Sequence, residues 1–296
     1  MCTVPGFLTT VNLYILLHRV VQLGLLSIGM TLVILTGGID LSVGSILALA
    51  CALTGQFQHW GTSAGYIGAG SYIAPELVIL LMILGIGGAV GMFNGFNSGI
   101  GIPDFAVTLG TMIGVRGAAY AVTGGVQIFG LGPVTKNIAR GSIVDVPYIF
   151  FVLVAIVIFI LILERNTVLG KSIYAVGENP RVAILSGVNC LKTKLMVYII
   201  SGVFAAMAGW ILAGRMDIGD PKVGVGVELE AIAAVVIGGT DLYGGFGGVE
   251  YTISGVLIIV LAQNLMALYG VSPNVRLILI ALILLVYLVL QRIIKQ

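Results

Sequence analysis

The sequence predicts an all-α polytopic membrane protein, because its composition and its apolar runs both point to helices in a bilayer. Hydrophobic residues make up 59% of the 296 residues, only 9% are charged, and mean hydropathy is +1.15. About a quarter of the residues in a soluble domain are charged, whereas a helix that crosses a bilayer needs ~20 mostly apolar residues. The apolar runs are continuous rather than alternating, which excludes a β-barrel.

Nine apolar segments are the predicted membrane helices of a single transmembrane domain that covers residues 1–296. In chain order they are 12–35, 42–57, 76–98, 105–123, 147–163, 195–214, 228–239, 249–269 and 275–291. Segments 42–57 and 228–239 are short, and short segments in corresponding halves are typical of half-length helices beside a pathway. Small residues at four-residue spacing predict two helix-packing seams, Gly91, Gly95 and Gly99 in one and Ala205, Gly209 and Ala213 in the other.

A five-residue pattern, Gly-Gly-x-Asp-Leu, occurs twice and predicts two related halves. It follows the first apolar segment and closes the seventh. Its glycines and aspartates are predicted to form structural turns: Gly37, Gly38 and Asp40 in the first copy, and Gly238, Gly239 and Asp241 in the second. A chance match between glycine-rich loops is the alternative explanation.

The positions of the basic residues predict which end faces the cytoplasm. Loop 164–194 is the most basic, with Arg165, Lys171, Arg181, Lys192 and Lys194, and basic loops stay on the cytoplasmic side. Counting segments from this loop places both Gly-Gly turns and the C-terminus in the cytoplasm, makes the two halves parallel, and places residues 1–11 outside. The odd number of segments predicts either a further helix ahead of residue 1 or a short segment that does not cross fully.

Within loop 164–194, residues 179–187 predict a short helix. Asn179 is a favoured N-cap, Pro180 fits the first helical position, and Gly187 is a typical C-terminal stop. A capped helix standing in the cytosol suggests docking to a partner protein. A surface helix that merely connects two spans is the alternative.

The sequence offers little for catalysis, metal binding or nucleotide binding. Gly170-Lys171-Ser172 resembles the end of a phosphate-binding loop, but Arg165 stands where that motif requires a glycine. Metal-type spacings of His and Cys are absent, as are carboxylate clusters. The net charge of +2 does not indicate nucleic-acid binding. We therefore expect neither an enzyme nor a cofactor in this chain, and ATP, if used, is expected on a partner.

Polar side chains within the predicted spans are candidates for a substrate pathway, foremost Asn94, Thr108 and Arg116. A charge at the centre of a membrane helix costs ~2.5–3.5 kcal/mol on insertion scales, so such a residue is usually functional or paired. These groups could hydrogen-bond the hydroxyls of a passing polar solute. They could equally bond neighbouring helices, and the sequence leaves both roles open.

Four stretches resemble ribose-type ABC importer permeases, and the resemblance extends over essentially the whole chain from Phe7 onward. They are GIDLSVGS at 38–45, PDFAVTLGTM at 103–112, GENPRVAILSG at 177–187 and ELEAIAAVVIGGT at 228–240. The first and last are highly specific. The third departs from the family, which usually has two alanines where this chain has Val182-Ala183 and often an acidic residue in place of Pro180.

The resemblance implies a permease that moves a monosaccharide, a ribose-like pentose or a hexose, into the cytoplasm by alternating access. It implies ten spans, a second permease subunit that is identical or a paralogue, two cytoplasmic ATPase subunits and an extracytoplasmic sugar-binding protein in the cell membrane. The residues that fall on the family's ATPase-contacting loop are Gly177, Glu178, Asn179, Ala183, Ser186 and Gly187.

A secondary transporter driven by an ion gradient is the alternative, since this class also uses repeats and broken helices. It is expected to carry a functional carboxylate within the membrane. Asp40, Asp104 and Asp241 instead fall at predicted span ends. An intramembrane enzyme is disfavoured because no plausible pair of nucleophile and base is present.

Overall fold

The computed structural model describes residues 6–63, 73–272, 275–276, 278–279 and 281–282. Within these ranges the helices are α1 Thr10–Leu35, α2 Val43–Ser63, α3 Ile73–Gly99, α4 Asp104–Thr123, α5 Pro133–Arg140, α6 Tyr148–Asn166, α7 Val168–Glu178, α8 Pro180–Leu185, α9 Cys190–Met216, α10 Val227–Gly238 and α11 Val249–Leu268. Short strands form two antiparallel pairs: β1 Ile128–Phe129 with β4 Ile218–Gly219, and β2 Ser142–Ile143 with β3 Val146–Pro147. The prediction of a helical membrane protein is confirmed for this part of the chain.

The core forms around α1, which is apolar on every side. Every residue from Val20 to Leu35 is buried, and α9, α10 and α11 pack against this helix. A helix that is hydrophobic all round belongs in the interior of a bundle. The outer helices α3, α4 and α6 instead expose large apolar side chains such as Phe93, Phe105 and Phe159, which suits a surface that lipid or another membrane subunit covers.

The two predicted small-residue seams are confirmed as helix contacts. On α3, a Cβ at Gly91 would overlap the carbonyl oxygen of Tyr198 on α9, and a Cβ at Gly95 would lie 2.7 Å from Leu195 Cα. On α9, a Cβ at Gly209 would overlap the carbonyl oxygen of Leu47 on α2. Membrane helices approach this closely only where small residues let the backbones meet.

Six of the described helices are long and apolar enough to cross a membrane: α1, α4, α6, α9, α11 and the Glu76–Gly99 part of α3. The short segment predicted at 228–239 is confirmed, because α10 has 12 residues and rises only about 18 Å against a ~30 Å hydrocarbon core. The count of nine spans is not confirmed. Helix α2 extends past the predicted segment 42–57, and segment 275–291 lies largely outside the described residues.

The bundle has two distinct ends. The turns that follow α1 and α10 meet, since the amide of Gly245 donates to Leu35 O at 3.0 Å, and Gly177 of loop 164–194 packs against the same atoms. We call this the turn end. Helix α5 and its neighbouring strands lie at the opposite end, beside the start of α3. Helices α1 and α10 therefore run in the same direction, as parallel halves require.

The two Gly-Gly turns share one backbone motif with an offset of one residue. In the first turn Gly37 has a φ of +77°, and the next amide donates to Val33 O at 3.1 Å. In the second turn the left-handed residue is Gly239, with a φ of +116°, and the next amide donates to Val235 O at 3.2 Å. Both are Schellman ends, which favour glycine because its backbone tolerates positive φ.

The other glycine of each pair allows a close approach instead of a left-handed turn. A Cβ on Gly38 would lie 2.8 Å from Tyr198 Oη, and a Cβ on Gly238 would overlap the carbonyl oxygen of Tyr251. In each pair, one glycine therefore adopts the positive φ of the turn, and the other leaves room for a close contact.

At the opposite end, α5 is held by side chains from other helices. Glu76 of α3 is 1% exposed, and it accepts hydrogen bonds from the amides of Val134 at 3.2 Å and Thr135 at 2.7 Å. Gln58 of α2 accepts from the amide of Gly132 at 2.6 Å. These bonds satisfy the free amides at the start of α5, so this short helix is fixed to the ends of α2 and α3.

Candidate functional site

Helix α8 has the predicted ends and exposes apolar side chains. Asn179 Oδ1 accepts from the amides of Arg181 and Val182 at 3.0 and 3.2 Å, and Gly187, with a φ of +83°, ends the helix. Ile184 and Leu185 are 60% and 87% exposed. Exposed apolar residues on a rigid, capped helix suit a contact with another protein.

A groove of about 480 Å³ runs beside α8. Its walls come from α7 and from the segment that joins α8 to α9, and they include Leu169, Ser172, Ser186, Gly187, Val188 and Lys192. The convex helix and the adjacent groove together form a surface that can both insert into and receive a partner. Of the residues placed here by the family resemblance, Ala183 is buried, whereas Asn179, Ser186 and Gly187 are exposed.

Loop 164–194 contacts the end of α1 and the loop between α10 and α11 through backbone atoms at a site we call the glycine junction, made of Gly37, Gly177, Gly244 and Gly245. A Cβ on Gly177 would overlap Leu35 O and lie 2.6 Å from the amide nitrogen of Gly245. A Cβ on Gly244 would lie 2.7 Å from the amide nitrogen of Gly37. Because the contact is between backbones, a shift of α7 presses directly on the end of α1 and on the loop that joins α10 to α11.

A second bond crosses from loop 164–194 to the loop before α11. The phenol of Tyr174 in α7 donates to Gly247 O at 3.0 Å. Burial, followed by the nearby carboxylates of Glu164 and Glu250, raises the pKa of the Tyr174 phenol. The hydroxyl therefore stays protonated at physiological pH and keeps its role as a donor, which supports the glycine junction from one side.

Asp40 lies between α1 and α2, at a span end as predicted, and it is fully buried. Its carboxylate accepts from Ser42 Oγ at 2.6 Å, from the Ser42 amide at 3.0 Å and from Ser201 Oγ of α9 at 2.9 Å. The equivalent Asp241 is half-buried and accepts from the amide of Tyr243 at 3.1 Å. The repeated motif indicated a turn at both aspartates, but it did not indicate that Asp40 would be buried.

Two of the predicted pathway residues lie inside the bundle and bond its helices together. Asn94 is 0% exposed; its side-chain amide donates to Ser42 Oγ at 2.9 Å and its oxygen accepts from Thr111 Oγ1 at 2.7 Å. Thr108 is also buried and donates to Ile39 O at 3.0 Å. These contacts tie α3 and α4 to the segment between α1 and α2, and with Asp40 they form one buried polar network.

Arg116 is the predicted pathway residue that is only partly buried. It is half-buried near the middle of α4, and its guanidinium donates to Val223 O at 2.5 Å and to Gly224 O at 3.1 Å. Gly114 and Gly117, where a Cβ would meet nothing within 4 Å, do not share a helix face with Arg116. The cation is therefore held to the segment that leads into α10, away from the uncovered face of α4.

Among the ion pairs that join helices in the described residues, two are partly buried. Arg19 of α1 pairs with Glu230 of α10 at 2.5 Å, and Lys194 of α9 pairs with Asp104 at the start of α4 at 2.9 Å. The sequence did contain a signal for the first pair, because Arg19 and Glu230 are both charged residues within predicted spans. Charged residues within a membrane usually pair.

Groups of three or more His, Cys, Asp or Glu side chains that could hold a metal are absent from the described residues. The site consists instead of an exposed capped helix, a backbone junction and interior polar bonds. The bilayer-length apolar helices around it are those of a multi-pass membrane protein.

Comparison with known proteins places this chain in one family. Residues 12–288 match the family described as branched-chain amino acid transport system / permease component, and the chain belongs to that family. It is 39% identical to the ribose import permease of Bacillus subtilis, over 97% of this chain and 87% of the relative. It is 36% identical to the ribose import permease of Haemophilus influenzae, over 95% and 85%.

Relatives with other cargo names are similar at nearly the same level. The chain is 35% identical to the L-arabinose ABC transporter permease of Azospirillum brasilense, over 91% of this chain and 76% of the relative. It is 32% identical to the galactose/methyl galactoside import permease of Salmonella typhimurium, over 91% and 82%. No solved structure matches the chain. The resemblance to sugar importer permeases is thereby confirmed.

Proposed function

We propose that this chain is the membrane subunit of an ABC importer that moves a monosaccharide, a ribose-like pentose or a hexose, into the cytoplasm. Relatives named for ribose, L-arabinose and galactose import support the sugar class. The chain acts as a permease rather than an enzyme, and ATP is bound by a separate subunit. In the cell membrane, the turn end and the C-terminus face the cytoplasm.

The glycine junction carries the proposal for the mechanism. A cytoplasmic ATPase contacts α8 and its groove, and ATP binding moves loop 164–194. Because Gly177 packs directly on Leu35 O and beside Gly245, the motion reaches both halves at once. The halves then rock, so that the pathway opens outward to receive sugar from an extracytoplasmic binding protein, and hydrolysis returns it to the inward state.

A second permease subunit, identical or a paralogue, is proposed to face α4. Only 11% of the span window in α4 is buried, and small residues along its open face, including Gly110, Gly114 and Gly117, leave room for a close helix contact. Arg116, which faces Val223 and Gly224 of its own subunit, would then line the route on the inner side of α4, with its remaining N–H groups available to sugar hydroxyls.

Uptake by reconstituted vesicles tests the proposed function. Sugar uptake is expected only when ATP, the ATPase subunit and the binding protein are all supplied. Uptake driven by an ion gradient without ATP would instead support a secondary transporter. One observation favours a secondary transporter, which is the burial of the Asp40 carboxylate. Among the described residues this carboxylate has hydroxyl and amide partners but forms no ion pair.

Docking through α8 predicts a large effect of a single charge. Leu185→Asp places a carboxylate on the most exposed apolar residue of α8 and is expected to weaken binding of the ATPase by about 30-fold, equivalent to ~2 kcal/mol for a central contact. Co-purification and ATP-dependent uptake measure the loss. The matched control is Val144→Asp, which makes the same change at a 90% exposed residue of the opposite end. Equal loss in both variants would count against docking at α8.

A pathway role for Arg116 predicts a transport defect in a folded protein. Arg116→Leu is expected to lower the ratio kcat/KM for uptake at least ten-fold, because two carbonyls and the passing sugar lose their donor. Arg116→Lys, which keeps a cation, should recover part of the rate. Normal uptake kinetics in an inserted Arg116→Leu protein would show that Arg116 serves only packing.

A further inference from the structure

Three arginines line one cavity near the opposite end of the bundle. The cavity has a volume of about 180 Å³ and lies between the first half of α1 and the ends of α9 and α11. Arg19, Arg215 and Arg276 contribute their side chains, and Gln263 and Asn264 add amide groups. All three arginines are half-buried, so each has lost part of its hydration shell.

The positive charge in this cavity is not balanced by the protein groups that the structure describes. Arg19 pairs with Glu230 at 2.5 Å. Arg276 bonds a neutral group, the carbonyl oxygen of Val271, at 3.0 Å. Within the described ranges neither Arg215 nor Arg276 has a carboxylate partner. Three cations therefore line the cavity, and Glu230, the carboxylate that pairs with one of them, is not part of its lining.

Partly desolvated guanidinium groups that share a cavity repel each other unless an anion is bound between them. The planar fork of arginine matches the geometry of a phosphate group and forms paired hydrogen bonds with it. We propose that this cavity is a binding site for a phosphate-class anion, presented by the headgroup of an anionic phospholipid.

The position of the cavity favours a lipid over a free anion. Arg215 is the second-last residue of α9, and Arg276 follows the end of α11, so both lie where a bilayer has its headgroups. Ile15 lines the cavity and is 44% exposed, which leaves an apolar surface beside the mouth for an acyl chain.

Thermal unfolding of the full chain in a neutral detergent tests the site. Phosphatidylglycerol is expected to raise the unfolding midpoint in a saturable way, whereas phosphatidylcholine is not. Arg215→Gln and Arg276→Gln should each raise the concentration of phosphatidylglycerol for half-maximal stabilisation at least about ten-fold, because each removes a charge-assisted contact. The control Lys222→Gln removes an exposed positive charge that does not line the cavity and should respond like the wild type.

Inorganic phosphate in place of lipid separates the two sources. If phosphate alone stabilises the wild type but not the arginine variants, and phosphatidylglycerol adds nothing, a phosphate site is supported and the lipid source is overturned. If phosphatidylcholine and phosphatidylglycerol act alike, or if both arginine variants respond like the control, the proposal is wrong. Native mass spectrometry of bound lipid provides the same comparison for a variant that unfolds too early to titrate.

Discussion

Replacing Gly177 by alanine is expected to reduce ATP-driven uptake at least ten-fold while ATP hydrolysis continues. Gly177 lies in α7, where alanine alone would favour the helix by ~0.5–1 kcal/mol. The added Cβ would, however, overlap Leu35 O and press on Gly245, and overpacking of this kind costs ~1–3 kcal/mol. The contact outweighs the local gain, so α7 must move away from the two turns.

The number of ATP molecules hydrolysed per sugar transported measures this coupling. Gly85→Ala is the matched control, because it makes the same exchange within a helix at a position where a Cβ would meet nothing within 4 Å. It should raise stability by the ~0.5–1 kcal/mol of helix preference and leave coupling unchanged. An unchanged ATP-to-sugar ratio in Gly177→Ala would show that the glycine junction does not transmit the motion.

Replacing Asp40 by alanine is expected to destabilise the bundle by about 3 kcal/mol, because it leaves the Ser42 amide and the hydroxyls of Ser42 and Ser201 without their acceptor in a dry interior. The loss should spread to Asn94, which bonds Ser42. Asp40→Asn keeps one acceptor oxygen and should cost less. The midpoint of thermal unfolding in detergent ranks the variants by stability.

The second copy of the motif provides the comparison for Asp40. Asp241→Ala removes the same Asx turn at a half-buried position, where water can replace part of the lost bonding, so a smaller effect is expected. Asp40→Asn also bears on the alternative function. If it abolished uptake while folding normally, Asp40 would be a transport group rather than a structural acceptor.

Local features of the docking loop could be predicted because their causes lie within a few residues. Asn179, Pro180 and Gly187 mark the ends of α8 through bonds to neighbouring amides and through backbone preference. The same holds for the seam at Gly91 and Gly95, because four-residue spacing places small residues on one face of any helix. The partner of that face, α9, could not be read from the spacing.

The candidate pathway was harder to predict, because a polar residue within a span has the same signature whether it faces a solute or another helix. Asn94 and Thr108 proved to be buried and bonded, whereas Arg116 is half-buried and donates to two backbone carbonyls. Asp40 lies at a span end as predicted, but its burial could not be predicted, because hydropathy records only where an apolar run stops.

The amino-acid sequence by itself determined that this chain lies in a bilayer as helices, that two halves repeat, and that a capped helix stands at one end. Each of these depends on composition, periodicity or contacts between near neighbours. Only the tertiary structure decided that Gly177 meets Leu35 and Gly245, and that three arginines share a cavity. Such contacts join residues far apart in the chain, and their energies depend on a close approach of backbones and charges that no local pattern specifies.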